Sequence, residues 1–407
     1  MWKAMPAWLV VLFLAMLAVG TDEFVIAGVL PEVADDLEVS VAAAGQLVTV
    51  FAVVYAIGAP TMALATDRLP RRALIVASLL VFAAANAGAA LAADYWMLMA
   101  ARIVAALAAA SVAAASFATA ATAAPEGRQG RYLGVVTAGL TVALFTGVPA
   151  GTWLAGDLGW RTTFWLLAAI GALVAAGVLA SAPRIAPGEP STLSERLAPL
   201  HDGVVLRLLA VVFVAASGGL MFYTYLGPFT ADVAGGSYQL RTVALLTVGI
   251  AGVGAVLLAG RATDARGPMQ VLKLVLAGHG AALLLLAALA FSGQDSPILL
   301  LASIAVWSMF AWALNPPIQG SLLAAAPQAG MTALALNISG LYLGTGVAGA
   351  LGGAVTALAD VRYVPLTAGF LLLGALILAF RADHHSARRR ERPVGLDSVG
   401  CVEFRRG

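Results

Sequence analysis

Residues 7–31 read AWLVVLFLAMLAVGTDEFVIAGVLP, an apolar run that meets two adjacent carboxylates, Asp22 and Glu23, and then continues apolar as far as Leu30. A run of about 20 residues makes about 30 Å of helix, the thickness of the hydrocarbon core of a bilayer. Lys3 and the small residues Ala18 and Gly20 would suit a secretory signal, but this run outlasts a signal core of about 7 to 15 residues. The stretch reads as a membrane-spanning helix with an acidic pair inside it.

The rest of the chain has the same character. Of 407 residues, 61% are hydrophobic and 11% charged, against about half and about a quarter in ordinary soluble domains. The apolar runs are long enough for helices, which satisfy their own backbone hydrogen bonds in lipid, and too long for barrel strands. Breaks at charge, Pro and Gly predict twelve spans, at 7–29, 42–64, 73–92, 97–123, 132–155, 162–181, 207–229, 240–261, 270–291, 298–325, 331–358 and 364–381. The expected fold is therefore an all-α integral membrane protein. It has a six-helix bundle over 1–182, a polar central loop over 183–206, a second six-helix bundle over 207–381 and a basic tail over 382–407.

An even number of spans puts both termini on one side. Nineteen Lys and Arg fall on that side, only Arg161, Arg241 and Arg362 on the other, and Arg102 within a span. Both termini are therefore expected to be cytoplasmic. The halves also repeat: ALATDRLPRRAL (63–74) follows the second span and GRATDARGPMQV (260–271) the eighth, with Ala-Thr-Asp in common. Their equivalent position, after the second span of each half, reads as an internal duplication.

Four stretches make the chain resemble the major facilitator superfamily, and within it the bacterial drug:proton antiporters, a branch that includes chloramphenicol-resistance and sugar or nucleoside exporters. GTDEFVIAGVLPEVADDL (20–37) is similar to the branch's first span, and ALATDRLPRR to the superfamily's loop after span two. GLTVALFTGVPAGTWL (139–154) resembles the antiporter motif of span five, and FAWALNPPIQGSLLAAAP (310–327) the tenth span. The span-four pattern is reduced to Arg102 in RIVAAL, and Pro70 stands where the loop usually has glycine. The resemblance implies a proton-coupled exporter of small amphipathic molecules in a bacterial cytoplasmic membrane. It would work as a monomer, with the proton gradient as driving force and no cofactor.

An ionised group in mid-membrane costs at least about 2.5 to 3.5 kcal/mol, so it faces a wet cavity or a partner. With the first span ending at 29, Asp22 and Glu23 lie about 10 Å below the outer surface and Arg102 at a comparable depth. Two readings follow: a salt bridge to Arg102, or a carboxylate that carries a proton. Burial favours the neutral form of a carboxyl and a nearby arginine the charged form, so a movement that alters either can load and release a proton. Adjacent helical residues point about 100° apart, so the two carboxylates cannot both face Arg102 squarely. The resemblance favours Glu23 as the proton carrier, with Asp22 second.

The remaining candidates also carry double readings. Arg68, Arg71 and Arg72 fit positive-inside topology alone, or a conformational latch with Asp67, for which Asp264 and Arg266 are the second-half counterparts. Gly139, Gly147, Pro149 and Gly151 fit close helix packing, or a bend that seals a proton leak. Tyr55, Phe145, Tyr223 and Trp312, with Asn315 and Asn337, suit a cavity for a flat substrate, although interfacial anchoring also explains aromatics. His279, between two glycines, is expected to be a neutral packed group.

Other functions find no support. The single cysteine, Cys401, supports neither a disulfide framework nor a thiolate metal site. The sequence has no phosphate-binding loop and no His pair at metal spacing. The tail's RRRERP (388–393), beside a membrane, is expected to attract anionic lipid rather than nucleic acid.

Overall fold

The computed structural model describes residues 5–65, 69–125, 129–184, 198–235, 238–293, 296–326 and 329–391, and all the regular structure among them is helical. The first bundle contains α1 (Ala7–Asp36), α2 (Val41–Ala65), α3 (Arg71–Ala90), α4 (Tyr95–Ala123), α5 and α6 (Trp160–Ser181). α5 runs Gln129–Val142, passes through a π turn at Ala143–Gly147 and continues Val148–Leu158. The second bundle contains α7, in two pieces (Gly203–Thr224 and Leu226–Ala234), then α8 (Tyr238–Arg266) and α9 (Pro268–Phe291). α10, also in two pieces (Pro297–Trp312 and Asn315–Ala325), α11 (Gly330–Leu358) and α12 (Val364–Glu391) complete it. Eleven of the described helices are long and apolar enough to cross a membrane, and α5, divided by its π turn, completes the twelve. Leu80, Leu173, Ile250, Leu274, Ile298 and Phe370 are exposed on the bundle's outside, where acyl chains rather than water would solvate them.

Helix ends differ from the sequence reading where proline was taken as a stop. Pro31 lies inside α1, which runs on to Asp36. Proline removes the N–H that the Ala27 carbonyl would otherwise receive. Gly227 of α7 closes against that carbonyl, so tightly that a Cβ on it would lie 3.0 Å from Ala27 O. α7 breaks at Tyr225, ahead of the Gly227-Pro228 pair, and α10 breaks ahead of Pro316 and Pro317. α12 continues past the expected end at 381 to Glu391. Two connections are single residues, Gly159 between α5 and α6 and Gly267 between α8 and α9, at φ of 85° and 83°. Glycine adopts that backbone without strain.

The bundles repeat each other. In the first, α1 packs on α5 and α6, α3 on α4 and α6, and α2 on α4; in the second, α7 packs on α11 and α12, α9 on α10 and α12, and α8 on α10. The contacts between halves obey the same shift of six helices, with α2 on α11 and α8 on α5. The correspondence reaches single residues. A Cβ on Gly139 would meet Phe13 O, Met16 Cβ and Leu17 N, and one on Gly344 would meet Phe213 O, Ala216 Cβ and Ser217 N. α1 and α7 are thus related residue for residue by a shift of 200, a relation that the loop repeat, at 197, only approximates.

Both seams between the halves lie toward the end away from the termini. α8 touches the π turn and the second part of α5. Gly346, Gly349 and Gly353 of α11 sit against Val53, Thr49 and Gln46 of α2.

Candidate functional site

The length of α1 places the acidic pair. Because the helix runs from Ala7 to Asp36, Asp22 and Glu23 sit at its middle, about 20 Å from either end at about 1.5 Å per residue. The helix runs seven residues past the end at 29 expected from the sequence. Asp22 is fully buried, and Arg102, seven residues into α4, donates from Nη1 to its Oδ1 at 2.7 Å. The guanidinium also lies 4.2 Å from the centroid of the Phe51 ring on α2, a cation–π contact. Asp22 Oδ2 and Arg102 Nε and Nη2 have no hydrogen-bond partner among the described residues. An ion pair this dry is costly to assemble and more costly to break, since losing one partner strands the other.

Glu23 faces elsewhere. Its Oε2 accepts a hydrogen bond from the Tyr342 hydroxyl at 2.6 Å, a length typical of a hydroxyl bonded to a charged oxygen. Tyr342 belongs to α11, so this bond joins the two halves. Its ring stacks on Tyr55 of α2 at 3.9 Å and 17°, and Tyr55 stacks in turn on Phe51 at 6.3 Å and 24°. The chain of contacts closes on itself: Arg102, Phe51, Tyr55, Tyr342, Glu23, Asp22 and back to Arg102. Any change at Glu23 therefore acts on the ion pair and on the contact between halves together.

On its other side Glu23 borders a cavity of about 10 Å³, room for about one water, shared with Phe24, Val48, Tyr223 and Thr345. Phe24, Tyr223 and Trp312 form an aromatic triad with edge-on contacts of 5.5, 6.2 and 6.4 Å between centroids. Gly252 of α8 makes room for the indole, because a Cβ there would lie 2.5 Å from Trp312 Cδ1. The Tyr223 hydroxyl and Trp312 Nε1 are buried without a partner among the described residues, as is Asn337 Oδ1 on α11. Of the other cavity candidates, Tyr55 is buried in the stack described above, and Asn315 is half-buried at the start of the second piece of α10. The Phe145 side chain, in the π turn, lies outside the described residues.

The latch candidates are described in part. Asp67 and Arg68 lie outside the described residues. Arg71 opens α3, and the Arg72 guanidinium donates to the Leu179 carbonyl of α6, tying α3 to α6 within one half. Asp264 and Arg266 are exposed at the end of α8. The glycines of span five line a single seam: a Cβ on Gly139, Gly147 or Gly151 would lie 2.4, 1.9 or 2.7 Å from an atom of Phe13, Thr21 or Val25 on α1. Close packing therefore requires them. Pro149, at the start of the segment after the π turn, adds the local break.

The end away from the termini is held shut by groups the sequence reading did not single out as a set. Arg241 of α8 makes a two-pronged ion pair with Glu32 of α1. The Tyr225 hydroxyl donates to Gly349 O at 3.0 Å, its ring wedged against Gly45 and Gly352. Tyr342, Phe24, Phe51 and Glu32 were not picked out from the sequence. The available signal was a tyrosine in mid-span on the glycine-rich α11, since polar groups there seek partners on neighbouring helices.

Comparison with known proteins accords with this architecture. Residues 12–332 match the model of the Major Facilitator Superfamily. The chain is 37% identical over 388 residues to the chloramphenicol resistance protein of Streptomyces lividans, covering 92% of this chain and 96% of that protein. It is 29% identical over 389 residues to the inner membrane transport protein YdhP of Escherichia coli (strain K12), covering 95% and 97%. It is 27% identical over 379 residues to a probable sugar efflux transporter of Pasteurella multocida, covering 90% and 89%. Among solved structures, a bacterial homolog of the human lysosomal transporter Spinster shares the fold with a TM-score of 0.74 at 17% identity, over 95% of this chain and 98% of that one. The chain belongs to the major facilitator superfamily, as a multi-pass membrane transporter of twelve helices.

Proposed function

We propose that this transporter is a proton-coupled exporter that works by alternating access, with Glu23 as the proton carrier and Asp22–Arg102 as its fixed neighbour. One observation carries the reading: Glu23 bonds across the halves to Tyr342. A hydrogen bond to a charged acceptor is roughly twice as strong as a neutral one, so protonating Glu23 weakens the tie between bundles. It also removes a charge whose burial opposes exchange between states. In the export direction substrate enters from the end bearing the termini. That end is the cytoplasmic one on the distribution of Lys and Arg.

The triad of Phe24, Tyr223 and Trp312 suits a flat ring, and its two unpartnered donors suit a substrate with hydrogen-bond acceptors. Chloramphenicol, named by the Streptomyces relative, has that chemistry and is the first compound to try. Everted vesicles loaded with a pH-sensitive dye test both parts. Adding chloramphenicol should release protons from the vesicle interior. Transport without proton movement would leave a facilitator, and a response to sugars in its place would make the chain a metabolite exporter.

A further inference from the structure

At the end of the bundle that bears the termini, α7 and α12 border a cleft of about 610 Å³ lined by Arg207, Ile377, Phe380, Arg381, His384 and His385. Two arginines share this cleft, and no carboxylate lines it among the described residues. Arg207 donates to Gly203 O in its own helix, at 2.9 Å, and Arg381 is exposed. The nearby acidic groups have other partners. Asp383, two residues beyond Arg381, accepts from Lys273 of α9 at 2.7 Å, and Asp202 caps the first turn of α7 through Val204 N at 2.8 Å. Like charges crowded into one cleft repel each other unless an anion lies between them.

The lining has a second character. Phe380 and Ile377 lie one and two turns deeper on α12 than His384, on the side of the long apolar run, so the cleft is cationic at its mouth and apolar below. A free phosphate would use the first feature only. A phospholipid would use both, with its phosphate between Arg207 and Arg381 and an acyl chain along Ile377 and Phe380. Basic pockets between spanning helices bind anionic head groups in this way. We propose that this cleft is a binding site for one anionic phospholipid, which clamps α7 to α12 by neutralising the two arginines.

The test uses the full chain purified in detergent and native mass spectrometry with phosphatidylglycerol and phosphatidylcholine of identical acyl chains. The wild type should retain phosphatidylglycerol in preference to phosphatidylcholine. Arg207→Ala and Arg381→Ala should each lower that preference by about fivefold, the effect of one cationic side chain at an anionic surface. Arg207→Lys with Arg381→Lys should keep it, which separates loss of charge from misfolding. Excess inorganic phosphate should leave the lipid bound. Equal retention of the two lipids, an unchanged preference in both alanine variants, or displacement of the lipid by inorganic phosphate would each overturn the proposal.

Discussion

The two halves solve the same packing problem with different chemistry. The shift of 200 that relates α1 to α7 puts Phe222 opposite Asp22 and Tyr223 opposite Glu23. Where Asp22 bonds Arg102 of α4 at 2.7 Å, Phe222 meets Trp307 of α10 edge-on at 4.8 Å. Trp307 in turn donates from Nε1 to His279 Nε2 at 3.1 Å, so the polar chemistry of this second cluster is a neutral hydrogen bond. A helix bundle thus closes equally well around a charged pair or an aromatic pair. The second half reaches the same packing without buried charges at these positions, so under the proposed function their place at the middle of α1 is a functional one. The proposed division of labour is then that the first half carries the proton, while the second supplies Tyr223 and Trp312 of the aromatic triad and, through Tyr342, feels the result.

Making the first half resemble the second is the strongest way to break this comparison. Asp22→Asn should strand Arg102 and destabilise the protein by about 3 to 5 kcal/mol, whereas Asp22→Leu with Arg102→Met should recover most of that stability. Thermal unfolding in detergent reads the stability. Vesicle assays should show that the recovered protein still lacks proton-driven transport. Full transport by the double variant would mean that the charged pair is structural.

Tyr342→Phe sharpens the link between halves. It keeps the stack on Tyr55 and removes only the hydroxyl that reaches Glu23. A hydrogen bond to a charged group contributes about 1.5 to 3 kcal/mol. Proton release per substrate exported should therefore fall about tenfold or more, while substrate binding stays within about twofold. Equal losses in binding and coupling would assign Tyr342 to the substrate site instead.

Glu32→Gln addresses the seal at the far end. It takes the charge from the partner of Arg241, and should raise the population open at that end by about fivefold, given about 1 kcal/mol for a partly exposed charged bond. Distances between labels on the outer ends of α1 and α8 would show it, and an unchanged distribution would remove this pair from the gate. His279→Gln should do least, shifting transport by no more than about twofold with an unchanged pH profile. A flattened profile would place a titrating group in the second half and end the proposed division of labour.

Twelve spans, two halves and a family likeness were legible in the sequence because membrane helices announce themselves by length and composition. The partnership of each carboxylate was not. α1 is apolar nearly all round, so no amphipathic stripe marks which side faces α4 and which faces α11. The reach of α1 to Asp36 was not legible because Pro31, an apparent stop, is accommodated by the close approach of Gly227. The relation of Asp22 to Phe222 was hidden for a related reason. The halves share the approach of Gly139 and Gly344 to the backbones of α1 and α7, while Asp22 and Phe222 differ in charge, size and hydrogen bonding.

The proposed mechanism requires that protonating Glu23 loosen the contact between halves. Electron–electron distance measurements on labels at the outer ends of α2 and α11, taken from acid to alkaline pH in lipid nanodiscs, test it most directly. The wild type should show one dominant short distance at alkaline pH and a second, longer population in acid. Glu23→Gln, which keeps the shape without the charge, should show the acid pattern at every pH. A Glu23→Gln protein that still follows the wild-type pH dependence would contradict the account, because the proton that moves the halves would then bind elsewhere.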